Sequence, residues 1–95
     1  MNETRPKKPT ISTRLLIGSV VKNTRDEDLG EIEALLVDLE TGFVSEVVIS
    51  TTRFLGLEKR LAVPWEILKI DEKAKFLIMD IDKDFIERIP SYQGS

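Results

Sequence analysis

The chain has 95 residues, of which 41% are hydrophobic and 33% charged, and its 17 acidic and 14 basic side chains give a net charge of −3. This length and composition predict one globular domain with a single modest core. Because the chain contains neither cysteine nor histidine, disulfides, thiol nucleophiles, Cys/His zinc sites and the most frequent catalytic base are excluded.

The distribution of apolar and charged residues bears on compartment and partners. No apolar run approaches the roughly 18 residues that span a bilayer, and the N-terminus lacks the apolar segment of a secretory signal. We therefore expect a cytoplasmic protein without membrane insertion. Residues 1–9 carry Arg5, Lys7 and Lys8 against Glu3, so the remaining chain is more acidic than the whole. Direct nucleic-acid binding is not expected, because it needs a basic face.

The ends of the chain differ from its middle. Residues 1–10 are polar and rich in proline, which predicts a flexible N-terminal tail. The domain is expected over residues 11–90, followed by a flexible C-terminal tail at residues 91–95.

Ser12 or Thr13 is suited to cap a helical turn that ends at Gly18. The apolar residues of that turn, expected to point into the body, are Leu15, Leu16 and Ile17.

Short β-branched or alternating segments between turn-forming residues predict six strands. They cover residues 19–23, 30–38, 43–51, 59–63, 68–70 and 75–81. Leu35 and Val37 break the alternation of the second strand, which indicates a bulge or coverage on both faces. Gly42 is expected to supply a positive φ in the hairpin loop that follows.

The last third of the chain carries several boundary signals. Pro64 cannot donate to a sheet ladder and marks the end of the fourth strand, and Trp65 beside it is expected in the core. After the sixth strand, Asp82 is suited to N-cap a short helix that stops before Pro90. Ile81 and Ile86 are spaced to form a hydrophobic staple across that cap.

These elements predict an all-β fold, a small antiparallel barrel of about six strands with a short C-terminal helix. Four segments taken in chain order, residues 16–21, 29–32, 35–44 and 54–65, resemble the PRC-barrel family. The resemblance runs from about Leu15 to Ile81. Members of that family occur in the cytoplasmic part of the photosynthetic reaction-centre H subunit, in ribosome maturation factors and as stand-alone proteins. The family usually has a glycine in the turn that corresponds to residues 24–28, and this chain has none.

The carboxylates do not indicate a catalytic or metal site. Asp80, Asp82 and Asp84 alternate as in a calcium loop, but Phe85 and Ser91 stand where that loop needs glycine and glutamate. Paired carboxylates on the second strand are interpreted as surface groups, since a barrel this small is filled by its own side chains. We expect a protein that is not an enzyme and that has no catalytic residues, metal or cofactor.

Apolar residues between the third and fourth strands form the candidate partner-binding site, flanked by the basic side chains of Arg53, Lys59 and Arg60. The candidate residues are Arg53, Phe54, Leu55, Leu57 and Arg60. Apolar side chains in a loop either fold back onto the barrel or meet a partner, and both interpretations stay open at the level of sequence. The identity of the protein partner is not specified by any motif.

Phe76 and Ile78 are expected on the less buried face of the last strand and are candidate homodimer contacts. The alternative is that the C-terminal helix covers them through Phe85 and Ile89.

The functional hypothesis is a non-enzymatic protein-interaction module that self-associates. Resemblance to the ribosome maturation factors implies one alternative, an accessory factor in RNA metabolism or ribosome assembly that binds a ribosomal protein. Resemblance to the reaction-centre H subunit implies another, a regulator of membrane-complex assembly or electron transfer.

Overall fold

The computed structural model describes residues 10–52, 58–71 and 76–93, and for residues 52, 58, 76 and 83 it describes the backbone alone. The described part of the chain folds into six strands, two short helices and one 3₁₀ turn. They are α1 (Thr13–Leu16), β1 (Val20–Lys22), β2 (Asp28–Val37), β3 (Val44–Thr52), β4 (Glu58–Pro64), the 3₁₀ turn (Trp65–Ile67), β5 (Leu68–Asp71), β6 (Phe76–Met79) and α2 (Lys83–Arg88).

The strands form a single six-stranded sheet in the order β4-β3-β2-β1-β6-β5, which curves into a half-barrel. The predicted all-β fold with six strands and a short C-terminal helix is confirmed. One pairing differs from the antiparallel expectation, because β1 and β6 run parallel, with Val21 opposite Leu77. A parallel pair needs a long connection, and here four other strands lie between the two in the chain. The sheet is therefore mixed.

The core lies on the inner face of the sheet and is made by alternate residues of the strands. Its fully buried side chains include Val21, Ile32, Ile49, Leu61 and Met79. Leu35 and Trp65 are only partly buried and pack against this cluster from its margin. The expectation of a buried tryptophan is corrected in that respect, because Trp65 lies in the 3₁₀ turn that follows β4 and contacts the core without being enclosed by it.

Helix α1 begins at the predicted residue but buries fewer of its apolar side chains than expected. The Ser12 side chain accepts a hydrogen bond from the backbone N–H of Arg14 at 3.2 Å, which makes Ser12 the N-cap. Of the three apolar residues expected to point inward, only Leu16 is buried, whereas Leu15 is 68% and Ile17 45% exposed. A helix of four residues presents one narrow face to the body, so its other apolar residues remain in solvent.

Strand β2 carries the irregularity that its sequence predicts. Its register against β3 shifts between Ile32 and Ala34 and again between Leu36 and Val37. At the start of the strand, Gly30 has φ +145°, and a Cβ at this position would collide with the Ser50 carbonyl oxygen. Only glycine allows the two strands to approach so closely here.

The β1–β2 turn is built around the buried side chain of Asn23. Its Oδ1 accepts hydrogen bonds from the backbone N–H groups of Arg25 and Glu27, both at 3.0 Å. Its Nδ2 donates to the Glu27 carboxylate at 2.7 Å and to the Ile81 carbonyl oxygen at 3.1 Å. In the absence of a glycine, Asp26 takes the positive φ of 65°. The Asn23 side chain thereby links the β1–β2 turn to the segment that precedes α2.

Helix α2 and the segment after it are anchored to β4. Lys59, which is 8% exposed, donates from Nζ to the carbonyl oxygens of Ile86 and Glu87, each at 3.1 Å. The N–H of Tyr92 donates to the carbonyl oxygen of Arg60 at 2.6 Å. A buried ammonium at the C-terminal end of a helix satisfies carbonyl groups that lack intrahelical partners. The C-terminal helix thus lies against the inner side of the half-barrel.

Candidate protein-docking surfaces

Four of the five residues predicted to bind a partner, Arg53, Phe54, Leu55 and Leu57, lie outside the described residues. The strands that they connect are described. Strands β3 and β4 pair in continuous register from Glu46 opposite Pro64 to Thr52 opposite Glu58. Thr52 and Glu58, the described residues on either side of the candidate segment, therefore lie at the end of the β3–β4 pair that is opposite the β2–β3 turn.

Arg60, the fifth predicted residue, forms a two-point ion pair. Its Nη2 lies 2.8 Å from Glu33 Oε2, and its Nε donates to Glu33 Oε1 at 3.0 Å. The two side chains are 43% and 40% exposed. A parallel pair of charge-assisted hydrogen bonds fixes the guanidinium, although at this exposure the pair contributes little to stability. A partner that binds Arg60 would contact a preformed arginine–carboxylate pair.

Strand β6 carries the two residues predicted to form a homodimer contact. Ile78 is half-buried, and the neighbours opposite it are Lys22 on β1 and Lys69 on β5. The backbone of Phe76 pairs with Asp71, but its side chain lies outside what the structure describes. On α2, Phe85 is 49% exposed while Ile89 packs against the core cluster.

The carboxylates near α2 contact the β1–β2 turn. Asp80 accepts a hydrogen bond from the Thr24 hydroxyl at 3.1 Å, and Asp82 lies 3.6 Å from Arg25. The Asp82 side chain does not bond to the helix N-terminus that it precedes. Within the described ranges, no three acidic side chains come together in a way that could hold a metal ion.

The turn of the β2–β3 hairpin exposes apolar side chains that sequence reasoning did not assign to a site. Leu39 is 95%, Phe43 74% and Val37 51% exposed. The signal was present in the sequence, since Leu39 and Phe43 flank a predicted turn where polar residues are the norm. We call residues Val37 to Phe43 the hairpin tip.

A family model described as the PRC-barrel domain matches residues 9–86, which is most of the chain. The chain belongs to the PRC-barrel family. The resemblance inferred from the four sequence segments is therefore confirmed.

A solved structure supports the same PRC-barrel fold. The crystal structure of a 16S ribosomal RNA processing protein, RimM from Pseudomonas aeruginosa, superposes with a TM-score of 0.55 at 23% sequence identity. The match covers 85% of this chain and 49% of RimM, so the PRC-barrel chain spans about half the length of that protein. At this identity the likeness establishes the fold alone. A comparison with curated proteins found no significant match.

Helices in the described part of the PRC-barrel chain are all too short or too polar to span a bilayer.

Proposed function

We propose that this PRC-barrel chain is a non-enzymatic docking module that binds other proteins. The observation that carries the proposal is that several large apolar side chains lie in solvent outside the buried core. Among the described residues, they include Leu39, Phe43 and Phe85. Exposed apolar side chains that lie together on a small domain are typical of surfaces that bind partners, and Leu39 and Phe43 lie on either side of one hairpin turn. The expected compartment remains the cytoplasm, which is a prediction from the sequence.

The primary docking site of this proposal is the segment between β3 and β4, with Phe54, Leu55 and Leu57 as apolar anchors and Arg53 and Arg60 beside them. A few aromatic and aliphatic anchors surrounded by charge supply most of the affinity in many interfaces. Support comes from the described strands on either side of the segment, which pair in continuous register up to Thr52 and Glu58. The Glu33 carboxylate orients Arg60 before any partner arrives.

The double variant Phe54→Ser/Leu57→Ser tests this site. If the two side chains contact a partner, the variant loses partner binding while its melting temperature changes by no more than about 2 °C. If they fill the end of the barrel instead, burial of two large side chains makes the loss of stability several kcal/mol. Thermal unfolding followed by circular dichroism separates the two outcomes. Leu15→Ser is the matched control, because Leu15 is 68% exposed on α1 and outside the proposed site.

Self-association through β6 is the second part of the proposal. Ile78 and Phe76 would supply the apolar contact, as expected from the sequence. Light scattering on the purified protein should then give twice the chain mass of 10.8 kDa. Ile78→Glu should return the mass to that of one chain, because two copies of a carboxylate would meet at a two-fold interface. A single-chain mass for the unmodified protein at high concentration contradicts this part.

A second candidate function is suggested by the RimM fold. RimM is a 16S ribosomal RNA processing protein, and a PRC-barrel chain of similar fold would serve as an accessory factor that binds a ribosomal protein. Nuclease treatment distinguishes this candidate from RNA-mediated association. A ribosomal protein that stays bound to the tagged chain after the RNA is digested supports the candidate. Its release by nuclease contradicts direct binding.

A further inference from the structure

The hairpin tip projects beyond the rest of the described sheet. Strand β1 pairs with β2 only at its start, from Asp28 to Glu31, and β4 pairs with β3 only from Glu46 onward. Between Val37 and Val44 the hairpin therefore has no described strand on either side. Its apolar side chains stay in solvent for this reason, and the body of the domain does not cover them.

The hairpin tip is nevertheless held in one conformation by its own hydrogen bonds. Asp38 Oδ1 accepts from the backbone N–H groups of Glu40 at 2.8 Å and Thr41 at 3.3 Å. The N–H of Gly42 donates to the Asp38 carbonyl oxygen at 2.7 Å, and the Asp38 N–H donates to the Phe43 carbonyl oxygen at 2.8 Å. Gly42 closes the turn with φ +80°. A rigid turn that displays apolar side chains loses little further entropy on binding.

The charge around the hairpin tip has one sign. Residues 36–52 contain the three carboxylate side chains Asp38, Glu40 and Glu46 and neither lysine nor arginine. Asp38 and Glu40 flank the exposed Leu39. The 3₁₀ turn that follows β4 adds Glu66, which is also exposed. The hairpin tip is an apolar surface in an acidic environment, and its complement is an apolar surface bordered by lysine and arginine.

We propose that the hairpin tip is a second docking site, where Leu39 and Phe43 bind a protein partner whose apolar contact surface is bordered by basic side chains. The acidic neighbours steer such a partner to the tip and disfavour acidic competitors. An anionic membrane surface is disfavoured for the same reason, since it repels carboxylates.

This second site is separate from the one at residues 53–57. The two lie at opposite ends of β3, and Val44 and Thr52 are about 26 Å apart at the usual rise per residue. The sites also differ in charge, because the first is flanked by Arg53 and Arg60. Loss of binding at one site should leave binding at the other intact, so the two proposals can fail independently.

Titration of the ¹⁵N-labelled chain with a synthetic amphipathic peptide of leucine and lysine, about 14 residues long, tests the second site. This peptide is the simplest surface of the proposed chemistry. We expect the largest chemical-shift changes at residues 37–43 and a dissociation constant that rises as salt is added. Leu39→Ser/Phe43→Ser should weaken binding about tenfold or more. Glu40→Lys should also weaken it, by about threefold to tenfold.

Two controls make the result specific. Leu15→Ser removes another exposed leucine and should leave the affinity unchanged. A peptide of leucine and glutamate of equal length should bind at least about tenfold more weakly than the lysine peptide. Shift changes elsewhere on the chain, equal affinity for both peptides, or unchanged binding by the tip variant would each overturn the proposal. Binding to anionic lipid vesicles that depends on Leu39 and Phe43 would also overturn it, in favour of a membrane contact.

Discussion

At the scale of single residues, Gly30 is a position where the sheet has no room for a side chain. Its φ of +145° is rarely adopted by other residues, and a Cβ there would occupy the space of the Ser50 carbonyl oxygen. Backbone atoms of β3 cannot move aside without disturbing the β2–β3 ladder. The close approach of the two strands is therefore a property of this glycine.

Gly30→Ala is expected to lower the free energy of unfolding by about 2–3 kcal/mol, through backbone strain and displacement of β3. Denaturant unfolding measures the change. Gly42→Ala is the matched control: its φ is +80°, but nothing lies within 4 Å of the added Cβ, so the cost should be about 1 kcal/mol. Equal losses for the two variants would show that the contact with Ser50 adds nothing to the strain.

At the scale of elements, Lys59 links strand β4 to helix α2. The Lys59 side chain is buried, and its ammonium group donates hydrogen bonds to two carbonyl oxygens at the end of the helix. A helix of six residues is too short to be stable alone. Its place on the half-barrel therefore depends on Ile86 in the core and on this lysine.

Lys59→Met keeps most of the apolar stem and removes the two hydrogen bonds. It should reduce the free energy of unfolding by about 2 kcal/mol, since two carbonyl groups lose a charged donor. Amide hydrogen exchange should accelerate in residues 83–89 more than in β2 and β3. The comparison variant is Lys69→Met, at an exposed position of β5. Uniform acceleration across the whole sheet would contradict a local role in holding α2.

The elements were predictable to the extent that their signals are local. Alternation and β-branched residues predicted all six strands within a few residues of their observed bounds, and Ser12 and Gly42 act as expected. The Asp82 cap is only partly as expected, because its carboxylate lies near Arg25 instead of bonding to the helix.

Features that depend on distant parts of the chain were not predictable in the same way. The parallel pairing of β1 with β6 joins residues more than fifty positions apart. The burial of Lys59 follows from where α2 docks, and a lysine in an alternating strand normally indicates the solvent face. Leu39 and Phe43 flank a predicted turn, which favours exposure, but the extent of their exposure depends on β1 and β4 ending short of the hairpin tip. Local patterns carry no information on where neighbouring strands end.

At the scale of the whole molecule, the described sheet separates two surfaces of opposite character. The acidic and apolar hairpin tip lies at one end of β3, and the segment flanked by arginines lies at the other. We propose that the PRC-barrel is a rigid spacer between two protein-binding ends. The core and the anchors on α2 keep the spacing constant.

The most direct test of the docking function is quantitative affinity capture from the protein's own cell extract after nuclease treatment, compared between the unmodified chain and Phe54→Ser/Leu57→Ser. Leu15→Ser serves as the control for an exposed leucine outside the site. We expect the unmodified chain and the control to retain the same set of proteins after the RNA is digested. The double variant should lose these proteins while it remains folded. Identical retention by all three chains, or retention of nothing beyond the chain itself, would contradict the proposal that this end of the barrel docks a protein partner.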